Sequence, residues 1–393
     1  MIDKPRIQLC KANDCTACFA CEGICPKSAI SQVADEEGFR HPVIDSMLCV
    51  GCHACEKVCP VLTPVTKYKK GVVYASWSLD DSVRSNSSSG GMFTEFAKQV
   101  LMKKGAVVGA SMNETGYVSH IIVKDGEALK KLRGSKYVQS LLGGKLYKEI
   151  KQLLREGRDV LFTGCPCQVA AMRSFFKDDK HLYTIDLVCH GVPSPEVFAN
   201  LYEKIKVEIP NLVTYNFRDY KNWQVCTSVN VNVNVNGHII NQKIFGEWTY
   251  YQDAFLKGLM HRPNCYNCRY TTVERVGDIS LADFWGIGTY KPIRNDFIGG
   301  CSMVSVNSEK GLSLFSQVSS NIYFEERDIQ ETIDGGNEQL VKPSIRPIGR
   351  DTFYLDNKKL PIKDVVEKYN LTLSYPPANV IVRIIRKIKR VLM

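Results

Sequence analysis

The sequence predicts an α+β module followed by an α/β core. Nine of the sixteen cysteines lie before residue 60, in two similar runs 34 positions apart (Cys15 to Cys49). From about residue 105 to 188, short apolar runs alternate with helical stripes, the pattern of βα units. Hydrophobic residues make up 44% and charged residues 23%, the balance of a folded chain and not of a disordered one. At roughly 100–200 residues per domain, 393 residues imply two or three domains.

The first run, Cys15-x2-Cys18-x2-Cys21-x3-Cys25-Pro26, returns as Cys49-x2-Cys52-x2-Cys55-x3-Cys59-Pro60. Both have the spacing of bacterial two-cluster ferredoxins. Three thiolates two residues apart wrap one corner of a cubane, and the fourth, before proline, reaches the other cluster. The expected ligand sets for two [4Fe–4S] clusters are Cys15, Cys18, Cys21 and Cys59, and Cys49, Cys52, Cys55 and Cys25. Zinc also takes four thiolates, but its ligands usually come as two C-x2-C pairs. Cys10 fits neither run and reads as an ordinary small residue.

The N-terminus has no apolar segment typical of a secretory signal, and the longest uncharged stretch, 222–242, is too rich in Asn to span a membrane. The expected location is therefore the reducing cytoplasm, with the cysteines as thiolates. Lys plus Arg number 51 against 41 Asp plus Glu, net +10, but unevenly placed. Residues 1–60 carry six basic and eight acidic side chains, net −2, whereas 379–393 carries five basic and no acidic ones. A nucleic-acid partner is not indicated.

Residues 60–70, rich in Pro, Thr and Lys, read as a linker. Beyond it a helix is expected over 92–104, ended by Gly105, then strands over 105–110 and 118–123. Leu146, Ile150, Leu153 and Leu154 mark a helix ended by Gly157. A strand over 159–163 runs into Gly164 and a helix from about Gln168, and 181–188 is a further strand. Alternating Val and Asn over 229–236, then Asn236-Gly237, signals a hairpin.

Four segments carry a resemblance: Arg84 to Gly91 (RSNSSSGG), Leu132 to Ser140 (LRGSKYVQS), Phe162 to Ala170 (FTGCPCQVA) with Asp186 to Pro195 (DLVCHGVPSP), and Cys265-x2-Cys268 followed by Asp278 to Gly286 (DISLADFWG). Together these resemble the coenzyme F-420 hydrogenase/dehydrogenase beta-subunit family, which includes the plant hydroxymethyl-chlorophyll reductase. The resemblance covers roughly 70–345, and a ferredoxin module in front is a common attachment. It implies an α/β flavoprotein holding FAD and at least one [4Fe–4S] cluster. Bacterial members are similar to reductases associated with surface polysaccharide. The domain division is then 1–65, a two-cluster ferredoxin-like domain; 70–160 and 161–345, the two parts of a flavin-binding core; and 346–393, an extension.

A Ser/Gly-rich turn opening a helix offers free N–H groups and a favourable dipole to an anion. Ser87, Ser88, Ser89, Gly90 and Gly91 are thus candidate flavin contacts, the alternative being a plain helix cap. Lys136 and Tyr137 lie in a basic, aromatic stretch, where a lysine would stabilise charge on a reduced flavin. The resemblance adds Gln139, Gly164, Gln168, Asp283 and Trp285. No G-x-G-x-x-G follows a strand, and Gly286-x-Gly288 lacks the third glycine, so a Rossmann dinucleotide site is unsupported.

Cys167, Cys189, Cys265 and Cys268 are expected to hold a third [4Fe–4S] cluster, with buried, inert thiols as the alternative. In the resembling family Thr stands at the place of Cys165 and Gly at that of Ala282. Cys226 and Cys301 read as structural. His190, beside Cys189, and Lys136 are the candidate catalytic residues, His190 as a proton donor to a reduced substrate.

In 379–393, Ile381, Ile384, Ile385, Ile388 and Leu392 share one helical face and Arg383, Arg386, Lys387 and Arg390 the other. This pattern fits peripheral contact with an anionic inner-membrane surface, or packing on the protein's own core. The expected function is an oxidoreductase. Electrons from a ferredoxin-like or other redox protein would pass through the clusters to FAD, then to a small-molecule or polysaccharide-pathway substrate. An electron-transfer adapter for a partner enzyme and an F-420-dependent oxidoreductase are the alternatives.

Overall fold

The computed structural model describes residues 7–219, 223–293 and 299–375. Cys226 falls where side chains are outside the described set, and the 379–393 segment lies outside the described residues altogether.

The cysteine module is a two-stranded antiparallel sheet, β1 (Ile30–Ala34) and β2 (Arg40–Ile44), with two one-turn helices, Ala20–Ile24 and Ala54–Val58. Its backbone repeats as the sequence does. Ala17 and Phe19 have φ of 50° and 54°, and their counterparts Gly51 and His53 have 69° and 56°. Left-handed backbone is uncommon outside glycine. Here it turns the chain tightly enough for thiols two residues apart to face one centre.

The core strands are β3 (Val72–Ser78), β4 (Ala106–Met112), β5 (Val118–Val123), β6 (Val160–Gly164) and β7 (Leu182–Leu187). A separate sheet holds β8 (Leu212–Asp219), β9 (Gln224–Val235) and β10 (His238–Ile244). Then come β11 (Ile279–Asp283), β12 (Ser302–Val306) and β13 (Ile322–Glu326). The large sheet has the order β13-β3-β12-β11-β7-β6-β4-β5. β4, β6, β7 and β11 are parallel, and antiparallel strands flank them. This sheet takes strands from both sides of position 160.

Most elements follow their sequence signals. The expected helix after Gly105's strand pair is Gly144–Arg155, which buries Leu146, Ile150, Leu153 and Leu154. The helix expected from about Gln168 begins two residues earlier, at Pro166, because proline suits the first turn. Asn236 and Gly237, with φ of 50° and 83°, make the hairpin turn between β9 and β10. Strand β8 completes that sheet.

The parallel strands set the site. β6 and β7 end side by side, with Gly164 opposite Asp186. At the same edge Asp283 on β11, Ser302 on β12 and Ser76 on β3 are in register. Crevices at the carboxyl ends of such strands are where α/β folds bind ligands.

Candidate functional site

The twelve expected cluster cysteines fall into three groups. In the first, Cys18 is pushed up to about 12, chiefly by burial, with the thiolates of Cys15 and Cys59 adding to it. Cys21 is raised by burial and by Cys18, Cys15 and Cys59. Cys59 therefore stands with the first run, as the crossed assignment requires. Cys10 joins this group, hydrogen-bonded to Cys15 and Cys59. That position has no signal in the cysteine spacing.

The second group lines a narrow pocket of about 20 Å³ walled by Cys25, Cys49, Cys52 and Cys55, with Pro26, Ile30, Ile44 and His53. Cys52 is solvent-exposed. A four-thiol set around one pocket fits an iron–sulfur cluster. Among the described residues no His, Cys, Asp or Glu group of three or more closes around a single metal-ion position.

The third group forms at the sheet edge. Cys165 caps the helix Pro166–Phe176, which places Cys167 in its first turn, at the positive end of the helix dipole. Cys189 follows β7. Cys265 and Cys268 lie in and just after the turn Pro263–Asn267. Burial raises Cys167, and Cys189, Cys268 and Cys265 raise it further, so these four thiols are neighbours. Cys165 is a fifth, its sulfur 3.7 Å from that of Cys189.

The loop carrying Cys265 and Cys268 is tied to β7 by a buried ion pair. Arg275 Nη2 and Nε donate to Asp186 Oδ1 at 2.8 and 3.2 Å, and the N–H groups of Gly277 and Val276 donate to Oδ2 at 2.8 and 3.1 Å. Both side chains are within 2% of full burial.

The first and third groups adjoin. Cys18 is among the thiolates that raise Cys167. Tyr147 and Tyr270 both feel Cys18 and Cys167. The Tyr147 hydroxyl donates to the Cys18 carbonyl at 2.8 Å. Arg262, 1% exposed, reaches across from the core: Nε donates to the Cys15 carbonyl at 2.7 Å, Nη2 to the Arg40 carbonyl at 3.1 Å and Nη1 to Gln139 Oε1 at 3.3 Å. Gln139 Nε2 in turn donates to the Thr16 carbonyl at 3.3 Å. The three groups thus run in sequence: the Cys25/Cys49/Cys52/Cys55 set outermost, the Cys15 set in the middle, the sheet-edge set innermost.

The expected flavin residues separate into two clusters. Ser88, Ser89, Gly90, Asp283 and Trp285 gather over β3, β12 and β11. Ser87 Oγ donates to the Val83 carbonyl at 2.6 Å, and Ser89 Oγ to that of Cys301 at 3.0 Å. Ser88 Oγ accepts from the Ser135 N–H at 3.0 Å, and the Gly90 N–H donates to Ser302 Oγ at 3.0 Å. A Cβ on Gly90 would stand 2.3 Å from the Ser76 carbonyl, and Gly91 has φ of 88°, so both glycines serve packing. The serine hydroxyls are committed to holding the turn.

Cations and rings are what this cluster offers a planar, electron-accepting ligand. Asp283 Oδ2 accepts from Arg218 Nη1 at 2.6 Å and Oδ1 from Trp223 Nε1 at 2.8 Å. The same Arg218 nitrogen donates to the Tyr137 hydroxyl at 3.2 Å. Trp223 stacks on Trp285, ring centres 5.0 Å apart, with Arg218 over Trp285 at 5.5 Å. Arg218 and Trp223 were not among the expected residues.

Gly164 and Gln168 lie instead beside the inner cysteines, and Gln139 against the middle set through Thr16 and Arg262. Gln168 Oε1 accepts from the Cys165 N–H at 3.0 Å and Nε2 donates to the Ser140 carbonyl at 3.1 Å. Lys136 donates to the carbonyls of Arg133, Leu132 and Lys131 at 2.8, 3.1 and 3.4 Å, and burial lowers it to about 7. His190 Nε2 lies 3.1 Å from the Leu256 carbonyl, its ring edge-on to Phe255 and His261, and burial lowers it.

Fold and site together define an iron–sulfur redox protein, a dicluster ferredoxin module seated on an α/β core. Residues 73–146 match the N-terminal part, and 157–332 the C-terminal part, of "Coenzyme F420 hydrogenase/dehydrogenase, beta subunit". Residues 14–62 match "4Fe-4S dicluster domain". The two beta-subunit matches together span more than half of the chain, which belongs to this family.

One component of the F(420)H(2) dehydrogenase of Methanosarcina mazei is 25% identical over 231 residues, 53% of this chain and 63% of that protein. The matched region is thus under two thirds of the relative's length. The xenon-derivatised structure of the F420-reducing [NiFe] hydrogenase complex from Methanosarcina barkeri contains a chain with TM-score 0.42 and 18% identity, over 78% of this chain and 92% of its own. Among the described residues no helix is long and apolar enough to cross a membrane.

Proposed function

We propose that this chain is a flavin- and iron–sulfur-dependent oxidoreductase that takes single electrons from a redox-protein donor and delivers them in pairs to a small organic substrate. The observation that carries the reading is the continuous order of the three cysteine groups, from the exposed Cys52 to the sheet edge beside Asp283. When bound, three [4Fe–4S] clusters and FAD would supply one-electron transfer and its conversion to two-electron chemistry.

The chain's own residues have separable tasks in this reading. Cys15, Cys18, Cys21 and Cys59 hold the middle cluster, Cys49, Cys52, Cys55 and Cys25 the outer one, and Cys167, Cys189, Cys265 and Cys268 the inner one. Arg262 and Tyr147 fix the module against the core. Arg218, held by Asp283 and Tyr137, presents positive charge to the flavin, and Trp223 and Trp285 present stacked rings. Tyr137, Gln139, Gly164, Gln168 and the 87–91 turn complete the flavin surroundings. Lys136 and His190 are the proposed proton-handling residues.

The test is the iron, sulfide and flavin content of anaerobically purified full-length protein. About twelve irons and one FAD per chain support the reading; about eight irons and no flavin overturn it. A second reading has its own support, since the Methanosarcina mazei relative is named as a subunit of a larger enzyme. In that case the chain is an electron-transfer component serving a partner, with F-420 as one candidate acceptor. Turnover of an organic substrate with a reduced low-potential donor and no second protein excludes it. Bleaching of added F-420 at 420 nm under reducing conditions identifies the deazaflavin variant. The proposed setting is cytoplasmic, with 379–393 as a contact to the inner-membrane surface, tested by liposome sedimentation with and without that segment.

A further inference from the structure

Five thiols meet at the sheet edge, and a four-iron cluster takes four. We propose that Cys165 is the surplus thiol and donates its S–H to the sulfur of Cys189, a ligand of the inner cluster, setting that cluster's reduction potential. The inference rests on reading the sheet-edge group as a [4Fe–4S] site.

The geometry at Cys165 leaves its sulfur little freedom. As the cap of the helix Pro166–Phe176 it accepts the backbone N–H of Gln168, while Gln168 Oε1 closes on the Cys165 N–H at 3.0 Å. Gln168 is itself anchored, its Nε2 donating to the Ser140 carbonyl at 3.1 Å. The sulfur therefore accepts on one side. The Cys189 sulfur is 3.7 Å away, within range for a bond between two sulfurs; with Cys189 ligating the cluster as a thiolate, Cys165 is the one of the two that keeps a proton to donate.

The choice of Cys165 over Cys189 as the surplus thiol follows from its place in the helix cap. Its sulfur is engaged by the Gln168 N–H and its own N–H by Gln168 Oε1 at 3.0 Å. Cys167, Cys189, Cys265 and Cys268 then remain as the four ligands of the proposed cluster. A serine or threonine at this position would cap the helix equally well. Cysteine, like them, keeps a proton that can face a thiolate sulfur.

A hydrogen bond to a ligating sulfur stabilises the more negative, reduced cluster and raises its potential. The experiment is an EPR-monitored redox titration of the reconstituted full-length protein, with iron analysis, for wild type, Cys165→Ala, Cys165→Gly and Cys165→Thr. Glycine is a tolerated helix cap, so Cys165→Gly removes the proton with the cap largely intact.

Alanine and glycine variants are expected to keep the wild-type iron count. At fixed ambient potential their oxidised-to-reduced ratio for the inner cluster should rise about tenfold, equivalent to about 59 mV downward for one electron. The threonine variant, which restores a donor, should return toward wild type. Loss of about four irons from the alanine and glycine variants would show Cys165 to be a ligand and overturn the proposal. So would an unchanged inner-cluster potential at full iron content. Eight irons in the wild type would instead remove the cluster reading beneath it.

Discussion

Replacing Arg262 should loosen the cysteine module from the core. Its guanidinium lies buried between the two, the residue 1% exposed, and donates to the Cys15 carbonyl at 2.7 Å, the Arg40 carbonyl at 3.1 Å and Gln139 Oε1 at 3.3 Å, with His41 Nδ1 3.3 Å from Nη2. It also lies 5.1 Å from the centre of the Phe39 ring. Arg262→Met leaves those acceptors without their charged donor. A bond to a charged group contributes about 1.5–3 kcal/mol net, and such terms do not add fully. Against them, removing a buried cation recovers part of its desolvation cost. A net loss of about 3 kcal/mol in module docking is the result. At about 1.4 kcal/mol per decade, this is roughly a hundredfold rise in the undocked population.

Hydrogen exchange read by mass spectrometry measures this directly. Peptides covering 14–24 and 40–44 should lose about two decades of protection, while those in β6 and β7 keep theirs. Arg262→Lys retains the charge but not the forked geometry and should fall between. Equal protection of the module peptides in wild type and Arg262→Met would refute the reasoning.

Three further outcomes are expected. Cys59→Ala should remove the cluster of the Cys15, Cys18 and Cys21 set and Cys25→Ala that of the Cys49, Cys52 and Cys55 set; EPR of each reduced variant decides, and the opposite pattern would mean uncrossed ligands. Asp186→Asn leaves the buried Arg275 without its carboxylate and should cost about 3–5 kcal/mol, read as a lower urea midpoint, with Asp186→Asn/Arg275→Met recovering part of the loss. Stability should also fall as pH drops below about 6.5. Burial holds His120 at about 4 and His261 at about 3 in the folded protein, against 6.5 unfolded, so the unfolded state binds more protons across that window. His120 alone accounts for at most about 3 kcal/mol by pH 4. An unchanged slope of unfolding free energy against pH in His120→Gln would contradict its share.

The cysteine module was legible in the sequence because its ligand spacing is local: the turns that aim Cys15, Cys18 and Cys21 lie within seven residues. The βα alternation was legible for the same reason, since Leu146, Ile150 and Leu153 repeat at helical spacing. Arg218 was not. Period two along β8 puts it with Thr214 and Asn216, opposite the buried Tyr215 and Phe217. An irregularity in the β8–β9 register between Asn216 and Arg218 re-aims it inward, where it meets Asp283. Arg262 and Cys10 were hidden too, because their partners are distant in sequence or outside the spaced runs. The 87–91 turn was found, but its chemistry was read from composition. Only the fold shows that Ser87, Ser88 and Ser89 already have partners.

The placement of Cys59 beside Cys15, Cys18 and Cys21, and of Cys25 in the pocket walled by the second run, bears on how the protein matures. In the proposed crossed sets each half lends its last thiol to the other. A nascent chain that has emerged only to residue 45 carries five cysteines yet owns no complete set, and iron delivered then would meet three thiols at most in the right places. Both inventories close together, once residue 59 is free of the ribosome. With the proposed ligand sets, cluster delivery to this module would be coupled to completion of the whole repeat, and a truncated product would lack a full set for either cluster.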